Sequence, residues 1–155
     1  MKIEKDYEEF FGLLNKYNVK YCIIGAFAVA FYAKPRYTKD LDIFIEPSKE
    51  NAGKILSVLE EFGFGDLSVS IEDLTSEGNI LQLGYEPVRI DLLNKLEGLD
   101  FRDVWKNKVM GDYGSEKVYF IGIEDLIKNK KTAGRSSDLM DIELLEKSRK
   151  EKNRQ

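Results

Sequence analysis

Histidine is absent from this sequence. That excludes imidazole general-base chemistry and histidine-ligated zinc. The single cysteine, Cys22, permits neither a disulfide framework nor a cysteine-held metal. It sits in an apolar, strand-like run and reads as a reduced core thiol of a cytosolic protein. A bound metal would therefore have oxygen ligands, which suits Mg²⁺ or Mn²⁺. No uncharged apolar stretch is long enough to span a bilayer, so no membrane association is expected. The opening MKIEKDYEEF is charged from the start, unlike a secretion signal. Excess positive charge is missing too: Lys and Arg number 24 against 28 Asp and Glu, a net charge of −4. That argues against broad, non-specific nucleic-acid binding and leaves room for a local basic pocket. Repeats, low-complexity stretches and interdomain linkers are lacking, so the 155 residues read as one domain.

What is present is concentrated in Gly25 to Ile45, GAFAVAFYAKPRYTKDLDIFI. Tyr21 to Ile24 reads as a buried strand and Gly25-Ala26 as the tight turn leaving it. Ala28 to Ala33 reads as a short helix stopped by Pro35. Asp40 to Ile45 is the next strand. Residues two apart on a strand share a face. Asp40 and Asp42 should then point the same way, roughly 6–7 Å apart, with Leu41 and Ile43 entering the core. Two adjacent carboxylates repel, and a divalent cation is the usual remedy. The alternative is a solvated strand face.

Elsewhere, Tyr7, Phe10, Phe11 and Leu14 recur at helical spacing, giving a helix over 4–17 that ends at Asn18. Ser48 is the expected N-cap of a second long helix carrying Asn51, Ile55, Val58 and Leu59, closed by Phe62 to Gly65. Residues 66–78 are ambiguous between alternating and helical patterns. Asn79 to Gly84 and Val88 to Leu93 read as strands around a Glu86-Pro87 turn. Gly98 to Gly122 should hold a short helix or loop and a hairpin turning at Gly111 to Gly114. Two helices finish the chain: Glu124 to about Ala133, and Ser136 to about Arg149 with Leu139, Ile142 and Leu145 inward. Residues 147–155, rich in Lys, should fray.

The order of these pieces resembles the nucleotidyltransferase superfamily, the fold shared by polymerase beta and aminoglycoside nucleotidyltransferases. The stretch GAFAVAFYAKPRYTKDLDIFIEPSKENAGKIL, with PVRIDLL and EDLIKNKKTAGRSSDLMDIELL downstream, is similar to the small prokaryotic group of AbiEii-type nucleotidyltransferases found in toxin–antitoxin systems. The resemblance covers most of residues 19–146. It departs from the pattern at Ala26, where relatives carry Gly or Ser, and at Tyr32-Ala33, where they often carry His-Gly. It implies an α/β (α+β) fold: a mixed, largely antiparallel sheet over about 19–122, flanked by helices, with a helical pair over about 123–149. It also implies metal-dependent transfer of a nucleoside monophosphate from an NTP to an acceptor hydroxyl on RNA such as tRNA, a protein or a small molecule. A cognate toxin or antitoxin protein would be a further partner.

Asp91 lies in Arg89-Ile90-Asp91-Leu92-Leu93, and a carboxylate among apolar residues is costly unless paired or metal-bound. The resemblance makes it the third metal carboxylate beside Asp40 and Asp42. Arg89 shares its face, so a simple Arg89–Asp91 pair is the competing reading. Gly25 and Ala26 would receive phosphates. Arg36 and Lys39 could meet phosphate oxygens and Thr38 could shape their loop; alternatively this is a basic surface loop offsetting nearby carboxylates. The resemblance also singles out Lys130, Arg135, Asp138 and Asp141. Lys130 and Arg135 would neutralise phosphate charge, held by Asp138 and Asp141, which are i, i+3 neighbours on a helix; an interhelical salt-bridge cluster is the competing reading. A non-catalytic rival keeps the same fold as a partner-binding module or nucleotide sensor. Ala26 points that way and the three aspartates point against it.

Overall fold

A computed structural model describes residues 3–34, 40–85 and 87–154. A first helix, α1 (Lys5–Lys16), buries Tyr7, Phe10, Phe11 and Leu14 along one stripe. Asn18 follows it in the left-handed region at φ 55, a conformation asparagine tolerates better than most residues. Then come β1 (Tyr21–Ile24), α2 (Gly25–Tyr32), β2 (Asp40–Ile45) and α3 (Lys49–Leu59). The side chain of Ser48 caps α3 by accepting from the Asn51 N–H at 3.1 Å. A π-helical turn, Glu60–Phe64, closes α3. The ambiguous stretch resolves into a one-turn helix, α4 (Ile71–Thr75), begun by a Ser70/Asp73 capping box. The chain continues through β3 (Ile80–Tyr85), β4 (Val88–Leu93), α5 (Phe101–Lys106), β5 (Val109–Tyr113), β6 (Glu116–Phe120), α6 (Ile123–Ala133) and α7 (Ser136–Asn153).

The sheet is six-stranded, in the order β3-β4-β2-β1-β6-β5. Three strand pairs are antiparallel and two, β1 with β6 and β2 with β4, are parallel. This is the mixed α/β, largely antiparallel sheet with a C-terminal helical pair that the sequence implies. Leu41 and Ile43 are fully buried on one face of β2. Its other face carries Asp40, Asp42 and Phe44. Phe44 is covered by Phe101 of α5, ring centroids 5.0 Å apart. On the carboxylate half of that face Asp40 and Asp42 are half-buried.

Four details differ from the sequence reading. The helix after β1 starts at Gly25, so Gly25-Ala26 is its first turn rather than a separate one. The β5–β6 hairpin turns at Gly114-Ser115, at the end of the expected Gly111 to Gly114 stretch, whose first three residues belong to β5. Gly111 lies within β5, where a Cβ would come within 2.8 Å of the Phe120 ring and 2.9 Å of the Phe31 ring. Its small size serves a close approach of rings. Leu139 is 62% exposed rather than inward; the buried side of α7 is Asp138, Asp141, Ile142 and Leu145. Finally, α7 runs on to Asn153. Arg149 pairs with Glu124 at 2.8 Å and the Ser148 hydroxyl donates to the Tyr32 carbonyl, tying that stretch to α6 and α2.

Candidate active site

The parallel pairing of β2 with β4 sets Asp40 beside Arg89 and Asp42 beside Asp91. On the other side of β2, Asp42 is paired with Ile24, the last residue of β1. The three aspartates and Arg89 therefore lie on one face of two adjacent strands. Gly25 abuts Asp42 closely: a Cβ at Gly25 would sit 2.5 Å from Asp42 Oδ2. Its φ of +65 adds a second reason for glycine here. Ala26 is not among the positive-φ residues, so its methyl group fits the first turn of α2 without backbone strain. No side chain caps that turn, and uncapped N–H groups at a helix start are ready anion donors.

Charge is crowded here. Asp42 is pushed up from its ordinary 3.8 to about 6 by burial first, then by Asp91 and Asp40, with Arg89 and Lys130 opposing. Asp91 is 7% exposed. Its two oxygens accept from Arg89, from Nε at 3.1 Å and from Nη2 at 2.8 Å. The same Nε lies 3.8 Å from Asp40 Oδ1. Arg89 itself is anchored through its backbone: its N–H donates to the Tyr7 hydroxyl, which donates to its carbonyl. The neighbour pair foreseen as an alternative is thus present. Among the described residues no three acidic side chains close into a ready-made metal cluster.

Above this row, Lys130 of α6 is buried between two aspartates of α7, 3.4 Å from Asp138 and 3.0 Å from Asp141. Asp138 also accepts from the Arg135 backbone N–H at 3.1 Å and from its Nε at 3.0 Å. Burial pushes the Asp138 carboxyl up, but the Arg135 hydrogen bonds and the Lys130 charge outweigh it and leave it below the usual value. The Arg135 side chain stays 72% exposed. So the salt-bridge cluster is real, and it faces the carboxylates rather than bulk solvent alone.

A cavity of about 670 Å³ joins the two halves, lined by Gly25, Asp42, Asp91, Lys130 and Arg135. Arg36, Thr38 and Lys39 fall outside the described residues. The sequence reading missed Lys95, Glu97, Asn129 and Thr132, which line the same cavity. Asn129 and Thr132 flank Lys130 on α6 at i, i+3 spacing, the signal that would have found them. The 95–97 loop offered none.

The sequence pattern of the family described as "Nucleotidyl transferase of unknown function (DUF2204)" matches residues 3–155. Comparison with curated protein sequences found no match. Among solved structures, the chain is similar to the lincomycin-bound lincosamide antibiotic adenylyltransferase LnuA, at 17% identity and a TM-score of 0.57, covering 92% of this chain and 96% of that one. It is also similar to TM1012 of Thermotoga maritima, a candidate nucleotidyltransferase, at 20% identity and a TM-score of 0.61, covering 99% and 97%. Likeness at such identities speaks for the fold.

Proposed function

The chain belongs to this nucleotidyl transferase family, and from that premise we propose a metal-dependent transfer of a nucleoside monophosphate from an NTP to an acceptor hydroxyl. The acceptor oxygen would bond to the α-phosphorus as pyrophosphate leaves. The observation that carries this reading is the paired register of Asp42 with Asp91 beneath the first turn of α2.

The residues fit Mg²⁺ or Mn²⁺ in chemistry: Asp40, Asp42 and Asp91 offer only carboxylate oxygens, and burial, then the like charge of Asp91 and Asp40, already disfavours the ionised form of Asp42. Bound there, the ion would supply charge neutralisation for the phosphates and polarisation at phosphorus. Gly25 and Ala26 would present N–H groups to phosphate. Arg135, exposed and at the cavity wall, would meet phosphate oxygens in bidentate fashion. Lys130 would set the potential of that wall while Asp138 and Asp141 hold it. Arg36 and Thr38 belong to the same proposal on sequence grounds. We read residues 1–155 as one functional unit, acting in the cytoplasm. The buried, reduced Cys22 and the need for NTP support that place. Among the described residues no helix is long and apolar enough to cross a membrane.

The AbiEii-type affiliation, with a cognate toxin or antitoxin partner, rests on the motif order alone. The acceptor is RNA, protein or a small molecule. Incubation with Mg²⁺, each α-labelled NTP and a cell extract should label one component, and RNase or protease digestion then names its class. Label that persists in the Asp40→Ala/Asp42→Ala double variant would come from a contaminant and not from this site; no label with any NTP and either metal would favour the binding-module alternative.

A further inference from the structure

The function proposed above leaves Arg89 without a task, yet it is built firmly into the carboxylate row. Its guanidinium spends two donors on the two oxygens of Asp91 and holds a second carboxylate, Asp40, at 3.8 Å. Its backbone is pinned from α1 by the Tyr7 hydroxyl. Its side chain, 30% exposed, is the part left to move. Gly84, its cross-strand neighbour on β3, has no side chain to pack over it.

We propose that Arg89 is the resident cation of the metal-free site, holding the position between Asp91 and Asp40 until a divalent ion arrives, so that loading of the three-carboxylate site requires its guanidinium to release Asp91. The inference rests on the metal reading given above. A fork that engages both oxygens of a carboxylate leaves fewer lone pairs to a metal. A dication and a guanidinium within a few ångströms repel strongly. Without Arg89 the metal-free row would set Asp91 against its register partner Asp42 with no guanidinium on it, so the arginine eases the repulsion between β2 and β4 in the meantime. Charge matching then favours metal that arrives with nucleotide. The phosphates bring negative charge of their own, which offsets the repulsion and gives a released guanidinium new acceptors. Arg89 is thus a positioning residue that sets the order of loading.

The test is Mn²⁺ binding to purified protein, read from the paramagnetic resonance signal of the free ion, with and without a non-hydrolysable NTP. Wild type should bind Mn²⁺ weakly alone and strongly with the analogue. Arg89→Met, which keeps the apolar stem and removes the charge, should bind Mn²⁺ alone about tenfold more tightly than wild type. Arg89→Lys, a cation without the fork, should fall between them, and it provides the reading if Arg89→Met does not fold. Affinity that is unchanged or weaker in both variants overturns the inference. If that happens while Asp42→Asn still abolishes binding with the analogue, the metal reading stands and only the role of Arg89 falls. If wild type binds no Mn²⁺ even with the analogue, both fall.

Discussion

Asp42 is the residue on which charge, burial and register converge. Burial, with Asp91 and Asp40 nearby, raises its pKa on folding from 3.8 to about 6. An acid shifted upward holds its proton more tightly in the folded state. The stability this contributes is complete below about pH 4 and is lost as pH rises through about 6. Metal-free protein should therefore weaken across that window. Asp42→Asn removes the penalty. Its melting temperature in EDTA should exceed that of wild type by about 2–8 °C near pH 7.5, the size expected for roughly 1–2 kcal/mol once the shift is discounted for solvent screening of a partly exposed group. The two should melt alike near pH 4. A variant that melts lower at both pH values would disprove the account. Gly25 is the complementary case. Gly25→Ala meets both a positive φ and an oxygen 2.5 Å from the new carbon. It should cost about 1–3 kcal/mol and, by displacing Asp42, weaken Mn²⁺ binding. Denaturant titration and metal titration on one sample measure both.

At the scale of elements, α6 and α7 are joined by a buried ionic contact as well as by apolar side chains. Lys130 is 8% exposed, between Asp138 and Asp141 at 2% and 4%. Such a triad adds little net stability when intact and much instability when one member is lost. Lys130→Met would leave two carboxylates buried without their shared cation. The expected loss is about 3–5 kcal/mol. Hydrogen exchange should show it first in α7, whose amides ought to lose protection before those of the sheet. Uniform loss of protection across all six strands would refute a local role. The exposed Leu139 follows from the same cluster: the helix face that sequence periodicity assigned to the core is set by Asp138 and Asp141 instead. Hydrophobic spacing identified α1 well because all four of its marker residues point inward. In α7 it placed Ile142 and Leu145 correctly and misplaced only Leu139, because charged residues occupy part of the buried stripe.

For the whole molecule, the cavity is bounded by the central strands on one side and the C-terminal helices on the other. A ligand filling it would tie the central strands to α6. Mn²⁺ with a non-hydrolysable NTP at roughly a hundred times its dissociation constant should add about 2.7 kcal/mol. For a chain of this length that is a rise of about 5–11 °C in melting temperature. Asp42→Asn should abolish the rise. A rise of equal size with nucleotide alone, in EDTA, would show that metal does not mediate binding.

Local rules were enough for much of this protein. Helix α1, strand β4, the Ser48 cap and the shared face of Asp40 and Asp42 each depend on residues a few positions apart, and such spacing is written in the chain. The absence of histidine confined any metal to oxygen ligands. What spacing could not supply were the meetings between distant segments. The pairing of Asp42 with Asp91, the reach of Arg89 across to Asp40, the close approach of Gly25 to Asp42 and the burial of Lys130 between two aspartates of α7 all arise from strand order and helix packing. A sequence gives the faces of its elements. Which faces meet is decided by closing long loops around one core, and the charge that accumulates where they meet belongs to the folded chain alone.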